Sequence, residues 1–371
     1  MRVKVLLNAM HTTTGGGVTY LRGILPELAA DTRFAWVLLV PQKTLAGLEI
    51  PEGMQVEVAP ELDFWRGHVW EQFVLPVLCW RWGVRAVLCN ANYVPLLAPR
   101  AMPIIHTTPR AVGQAVGWKM QMYWRVLRWL TVVSLWRAPV AFSVARHVVR
   151  DYVGSFVGRK VRVAYPGGQV DRLTGGQEQR DPNLVMAVGD FYAQKDYPLI
   201  VRAFAVLRER RPASRLLIVG RAVDGGVRDE VLKLVRELKI ADAVTMTGAV
   251  PHATLMKTLA KAAVYVNASK AECFNLPVLE ALACGVPCVL PEVDFQREVA
   301  GEAGVFVPVS KGGDVAAAFA VALFGVLENP VIAESLRKRG LARAAEFSWR
   351  KTAAVLCVGV ARAVKLRDER V

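Results

Sequence analysis

Short runs of Val, Ile, Leu and Ala recur along the chain with helical stretches between them. "VKVLLNA", "FAWVLLVP", "AVLCNA", "MPIIHTT" and "APVAFSV" predict strands in the first half. "LVMAVGDF", "SRLLIVG", "AVTMTGAV", "AAVYVNAS", "VPCVLPE" and "AGVFVPV" do so in the second. These runs are continuous rather than alternating. Parallel strands covered by helices on both faces need that pattern. "YPGGQVDRLTGGQEQRDPN", residues 165–183, interrupts it with Gly and polar residues, after which the α/β pattern starts again. The expectation is an α/β protein of two Rossmann-like, doubly wound domains. The first covers 1–165, the linker 166–182, the second 183–348, and an amphipathic helix without a following strand occupies 349–371.

One predicted helix is unusual. In "WKMQMYWRVLRWLTVVSLWR", residues 118–137, Gln121, Arg125 and Arg128 fall at i, i+4, i+7 and form a narrow polar stripe. Trp118, Met122, Trp124, Trp129 and Trp136 cover much of the rest. Trp interleaved with cations suits a helix lying among lipid headgroups. A helix buried between the sheet and its neighbours is the plainer reading.

"AECFNLPVLEALACGVPCV", residues 271–289, holds Glu272 and Glu280 eight positions apart in an apolar setting. Pro277 suits the first turn of a helix, Asn275 or Leu276 its cap, and Gly285 with Pro287 its end. Glu280 then sits in the first turns and Glu272 in the loop before them. Backbone N–H groups at the helix start attract anions, phosphate above all. The segment offers an anion seat between two hydroxyl acceptors, which a sugar nucleotide matches. A capped core helix with two solvated glutamates is the alternative.

Three further places carry chemistry. Gly15, Gly16 and Gly17 lie between the first strand and its helix, where missing side chains let a ligand reach the backbone; a ligand-free tight turn would use one or two of them. The loop is not G-x-G-x-x-G, and no G-x-x-x-x-G-K-[ST] occurs, so dinucleotide and P-loop fingerprints are absent. His106 ends a predicted strand, at the edge where such sheets bind ligands; a structural histidine at a strand end is the competing reading. Lys195, between the strand and helix that open the second domain, is placed to put an ammonium on a diphosphate and stabilise leaving-group charge, against the usual solvated lysine. No D-x-D occurs, which argues against a metal-bridged diphosphate site.

With 371 residues the chain is long enough for two cores. It contains no run of 18 uncharged apolar residues, and its first residues lack the features of a signal peptide. The six cysteines stand apart from zinc-site spacing and fit reduced thiols in a cytosolic protein. The net charge of +15 is uneven, with ten Lys and Arg between 101 and 170 against one acid, Asp151. Such an excess suggests an anionic partner, whether a membrane surface, a nucleic acid or a phosphorylated substrate; a general basic bias with a solvated surface is the competing reading.

Residues 248–307, with Glu272, Glu280, a small-residue helix and Gly-x-Pro in order, resemble the retaining glycosyltransferases of family 4. "REVAGEAGVFV" with Glu298 and "VGDFYAQKDYPLIVRAF" with Lys195 are similar to further parts of that family; "TGGGVTYL" and His106 match more loosely. The resemblance implies a GT-B architecture, two Rossmann-like domains facing a cleft. It implies that Glu272 binds donor-sugar hydroxyls and Glu280 the ribose. Phe274, Asn275 and Leu276 would line sugar and phosphate with their backbone, and Lys195 would meet the diphosphate. Gly16 and Gly17 would admit the donor to the first domain, His106 would face the sugar, and the last helix would cross back to the first domain. No cofactor and no metal would be needed. Departures exist: Asp190 stands where many relatives carry a basic residue, Cys273 and Asn275 replace common glycines, and Ala145 replaces a frequent serine.

The expected function is retaining, metal-independent transfer from a nucleotide sugar (UDP-, GDP- or ADP-linked) to a lipid-linked or polysaccharide acceptor. A hexosyltransferase is expected, cytoplasmic and peripheral on the anionic inner face of the membrane. Nucleic-acid binding rests on charge alone, without an accompanying motif, and is not expected. An oxidoreductase or nucleotide-sugar epimerase on a similar fold lacks its fingerprint.

Overall fold

The computed structural model describes residues 2–13, 15–107, 118–152, 160–168, 180–309 and 313–366. They divide into two units: residues 1–167 with 348–371, and residues 168–347.

In the first unit the chain runs β1 (Val3–Asn8), α1 (Gly16–Ala29), β2 (Phe34–Pro41), α2 (Gln42–Leu45), β3 (Gln55–Ala59), α3 (Phe64–Arg81), β4 (Ala86–Cys89) and β5 (Ala101–Ile105). It continues through α4 (Trp118–Arg137), β6 (Ala141–Ser143), α5 (Arg146–Tyr152) and β7 (Val161–Val163). The strands form one parallel sheet in the order β3-β2-β1-β4-β5-β6-β7. The order reverses between β1 and β4, where Asn8 stands opposite Cys89. Leu6, Val37, Leu39 and Val87 meet Leu75 and Cys79 of α3 in one core. Each such side chain withdrawn from water contributes roughly 2 kcal/mol.

Two strands escape the sequence pattern, β3 and β7. Both lie at the edges of the sheet, where one side is open to solvent and polar residues such as Glu57 and Arg162 are accepted. The long helix α3 is also missed, because its exposed face carries Trp65, Val69, Phe73, Val77 and Trp80 and blurs the helical period.

The second unit runs β8 (Asp181–Val188), a 3₁₀ turn at Ala193–Lys195, α6 (Tyr197–Arg210), β9 (Arg215–Val219), α7 (Gly225–Glu237), β10 (Val244–Met246) and α8 (His252–Ala260). Then follow β11 (Ala262–Val266), α9 (Leu276–Ala283), β12 (Cys288–Pro291), α10 (Asp294–Ala300), β13 (Gly304–Val307), α11 (Val315–Glu328) and α12 (Pro330–Ala344). Its parallel sheet has the order β10-β9-β8-β11-β12-β13, reversing between β8 and β11. Val185, Ile218, Val264 and Val289 pack with Phe204 of α6 and Phe319 of α11. Both units are therefore of the doubly wound class the sequence predicts.

α13 (Trp349–Ala363) belongs to the first unit. It lies on α1, and a methyl group at Gly23 or at Gly167 would overlap Trp349. Thr352 Oγ1 donates to the Tyr165 carbonyl. Most of the expected linker, residues 169–179, lies outside the described residues, as do Arg110 and Arg159 of the basic stretch.

Candidate active site

In a doubly wound sheet, ligands bind beyond the carboxyl ends of the strands where the strand order reverses. In the second unit that place lies between β8 and β11. Lys195 follows β8 and Glu272 follows β11, and the fold brings them together: Lys195 Nζ donates to Glu272 Oε1 at 2.5 Å. Both side chains are largely covered, 12% and 16% exposed. Two more ties join these loops. The Lys270 amide donates to the Gln194 carbonyl at 2.8 Å, and Lys270 Nζ lies 2.8 Å from Asp196 Oδ2.

α9 begins at Leu276 with Pro277 in its first turn and Asn275 as its N-cap, and it ends at Gly285, φ +65°. There the Val286 amide bonds Ala281 O and the Gly285 amide bonds Leu282 O, the paired bonds that close a helix on glycine. Glu280 is buried on this helix, and its Oε1 is 3.0 Å from His252 Nε2 at the start of α8. Neither glutamate is solvated, so the plain capped-helix reading of this segment is set aside.

The amide seat at the start of α9 is narrower than the sequence suggests. The Leu276 N–H donates to Phe274 O, Pro277 has none, and Val278 and Leu279 both donate to Asn275 O. Asn275 Nδ2 reaches Gln296 Oε1 at 3.4 Å, Gln296 Nε2 donates to Asn267 Oδ1 at 2.7 Å, and Asn275 Oδ1 is buried without a hydrogen-bond partner. A buried acceptor left unpaired costs about 1–3 kcal/mol, an expense that a binding site offsets when a donor arrives. Asn275 has φ −78°, and Cys273 is not among the residues with positive φ, so replacing glycine at these positions strains nothing. Phe274 is covered and meets the Phe347 ring edge-on, with centroids 5.7 Å apart.

Asp190, which stands where many relatives carry a basic residue, is itself paired with a cation. Arg221, at the end of β9, grips Asp190 through its own amide (2.9 Å) and guanidinium (2.5 Å to Oδ2). Burial works against ionisation of Asp190, but the Arg221 hydrogen bonds and charge, with Lys195 beyond, outweigh it and hold its carboxyl below the usual range. The acid thus fixes a second cation beside Lys195. Gly189 (φ +146°) and Gly220 make this possible: a Cβ at Gly220 would overlap the Gly189 carbonyl, and one at Gly189 would come within 3.1 Å of Lys195 Cε. Tyr197 Oη donates to that same carbonyl.

In the first unit, Gly15 takes φ +62° as the N-cap of α1, a conformation suited to glycine. A Cβ at Gly16 would meet nothing within 4 Å, and one at Gly17 would touch Thr12 Cγ2 at 3.1 Å. His106, after β5, has Nε2 2.6 Å from Asn90 Oδ1. The Tyr20 ring stands edge-on to it, with centroids 4.7 Å apart. Its surface is only partly covered, yet the ring lies deep enough that desolvation pushes its pKa down to about 4. His106 is therefore a neutral imidazole near pH 7.

Sequence reasoning missed His252, Arg221 and the Asn267–Gln296 brace. Arg221 stands at the carboxyl end of a parallel strand, so the rule that singled out His106 also reaches it. The other two emerge only from the packing of α8 and α10 against neighbouring elements.

Residues 175–340 match the family described as Glycosyl transferases group 1. A D-inositol 3-phosphate glycosyltransferase of Segniliparus rotundus is 29% identical over 56% of this chain and 48% of that protein. The chain thus spans about half the length of this curated relative. Sucrose-phosphate synthase from Thermosynechococcus elongatus superposes with a TM-score of 0.78 at 20% identity, over 99% of this chain and 100% of the other. Anabaena HepE in complex with UDP-glucose gives 0.77 at 15% identity, over 97% and 100%. These two likenesses concern the fold. Within the second unit, residues 175–340 are similar to the group 1 glycosyl transferases.

Proposed function

We propose that this protein transfers a hexose from a nucleotide-sugar donor to a lipid-linked or polysaccharide acceptor, with retention at the anomeric carbon and without a metal ion. The observation that carries the reading is the Lys195–Glu272 ion pair at the β8/β11 reversal, flanked by Glu280 with His252. Glu280 takes the ribose hydroxyls and Glu272 those of the sugar. Lys195, with Arg221 nearby, meets the diphosphate. The anionic leaving group gains its negative charge as the glycosidic bond to phosphate breaks, and fixed cations stabilise that change more than they stabilise the bound donor. The Phe274, Asn275 and Leu276 backbone lines the sugar and phosphate, with the Asn275 side-chain oxygen as an added acceptor. In the first unit, Gly16 and Gly17 leave room at the backbone, and neutral His106, whose Nε2 serves Asn90 Oδ1, accepts a hydrogen bond from a sugar hydroxyl through Nδ1. HepE was solved with UDP-glucose, which makes UDP-glucose the first donor to try.

The membrane surface belongs to the same proposal. Among the described residues no single helix is long and apolar enough to cross a bilayer. On α4, Met122, Trp129 and Trp136 are exposed next to Arg125 and Arg128. On α3, Trp65, Val69, Phe73, Val77 and Trp80 form an exposed stripe at spacings of three and four, with Trp80 84% exposed. Exposed tryptophans beside cations support docking from the cytoplasm onto an anionic inner leaflet.

The test is calorimetry with UDP, GDP and ADP, followed by transfer assays with the matching glucose or mannose donor. Binding of one nucleotide, lost in Glu280→Ala, and anomeric retention by NMR are expected. Absence of binding by all three nucleotides overturns the reading.

A further inference from the structure

The first unit has its own strand-order reversal, between β1 and β4, and an unusual set of side chains gathers at its carboxyl edge. Glu71 lies on α3 in the buried row Gly67, Glu71, Leu75, Cys79, at spacings of four. Leu75 and Cys79 serve the core. Glu71, 0% exposed, does not, since a buried carboxylate is costly and an apolar residue of similar size packs as well. Both of its oxygens are occupied. Asn8 Nδ2, at the end of β1, donates to Oε1 at 2.6 Å, and His11 Nε2, in the loop after β1, lies 2.9 Å from Oε2.

A carboxylate accepts, so His11 Nε2 carries the proton and, in the neutral ring, Nδ1 carries a lone pair. No described residue donates to Nδ1, and the His11 side chain is 28% exposed. Other aromatic rings surround it. His68 lies 4.6 Å from His11 centroid to centroid, and Tyr93 stacks on His68 at 5.6 Å. The next residue, Thr12, accepts from Asn90 Nδ2 at 2.9 Å, and Asn90 Oδ1 meets His106 Nε2. The edge therefore holds two imidazoles built alike. Each has Nε2 tied to a side-chain oxygen and Nδ1 left as a bare acceptor.

We propose that His11 is a binding residue for the acceptor substrate, taking a hydrogen bond from one of its hydroxyls through Nδ1, with Glu71 as the positioning residue that sets its tautomer. The ligand class follows from the polarity of the groups. Bare imidazole lone pairs beside a buried carboxylate repel a phosphate or carboxylate and match O–H donors. A neutral polyhydroxylated ring, a sugar or a cyclitol, has such donors on adjacent carbons. Glu71 here does for His11 what a buried acid does for the histidine of a hydrolase triad, holding the ring in one tautomer and orientation. This inference rests on the glycosyltransferase reading for the word acceptor, but the site's chemistry stands apart from it.

The experiment is nitrogen-15 NMR of the histidine rings in the full chain, titrated separately with methyl α-mannopyranoside, myo-inositol and inorganic phosphate, alongside acceptor kinetics and UDP calorimetry. Free His11 is expected in the Nε2–H tautomer, with its Nδ1 resonance moving on addition of at least one of the two polyols and still on addition of phosphate. Glu71→Gln, which keeps shape and can serve Asn8, is expected to mix the tautomers and raise the acceptor KM about tenfold, the equivalent of one hydrogen bond. His11→Phe is expected to raise the acceptor KM at least as much, with UDP affinity unchanged in both variants. A His11 resonance unmoved by both polyols, a response to phosphate instead, or a loss of UDP affinity equal to the loss for acceptor overturns the proposal. If no nucleotide binds while the polyol still moves His11, the donor reading fails and this site survives. The wild-type NMR result decides the matter even if a variant does not fold.

Discussion

Lys195 and Glu272, 77 positions apart, meet at 2.5 Å across the β8/β11 reversal. The ammonium serves an acid in its own loop pair, and a diphosphate must compete with that acid for it. This sets up a separation of binding from turnover. Glu272→Gln frees the ammonium, so UDP affinity is expected to rise a few-fold, while kcat falls about 100-fold with the loss of a fixed charge at the sugar. Calorimetry and steady-state kinetics on the same preparation check both. Lys195→Ala is expected to lower both quantities together.

Glu280 is buried, and His252 is its hydrogen-bond partner. Hydrogen bonds to a charged acceptor are worth about 1.5–3 kcal/mol each. Glu280→Ala is expected to weaken UDP binding by about tenfold or more. It is expected to leave UMP and inorganic pyrophosphate distinguishable: affinity for pyrophosphate, which lacks ribose, stays unchanged.

His106 carries a pH signature. Its folded pKa of about 4 lies below the ordinary value of about 6.5, so between these pH values the unfolded chain holds a proton that the native chain does not. Stability is therefore lost as pH falls from about 6.5 toward 4, by at most about 3 kcal/mol from this group, and is insensitive to it above that window. Urea denaturation at pH 7 and pH 4.5 is expected to show a smaller difference in His106→Gln than in the wild type.

The exposed tryptophans offer a clean surface test. Trp80→Ser with Trp129→Ser and Trp136→Ser is expected to abolish co-sedimentation with vesicles rich in anionic lipid. Transfer to a soluble acceptor analogue should remain. The wild type should bind vesicles at low salt and less at high salt, because screening weakens the arginine contribution.

The central strands were legible because burial on both faces writes an unbroken apolar run, as in "AVLC" and "AAVYV". β3 and β7 were not, since an edge strand needs only one covered side. The chemistry divides along the same line. Glu272, Glu280, Pro277 and Gly285 are close in sequence, so spacing and turn residues disclose them. Arg221 owes its place to Asp190, 31 positions away, and His11 owes its tautomer to Glu71, 60 positions away. No local pattern reports such partners. The narrow amide seat had the same origin: the bond from Leu276 N–H to Phe274 O depends on how the loop before α9 turns, which composition does not show.

The return of α13 onto α1 reaches back to how this chain is made. Trp349 fills the space that Gly23 and Gly167 leave for it, so the first unit to leave the ribosome lacks part of its own core until residues 349–363 have emerged. The second unit, continuous from 168 to 347, has no such delay and is complete first. Until then the waiting surface of α1 is an apolar face in search of a partner, and for that interval a chaperone has the strongest reason to hold it.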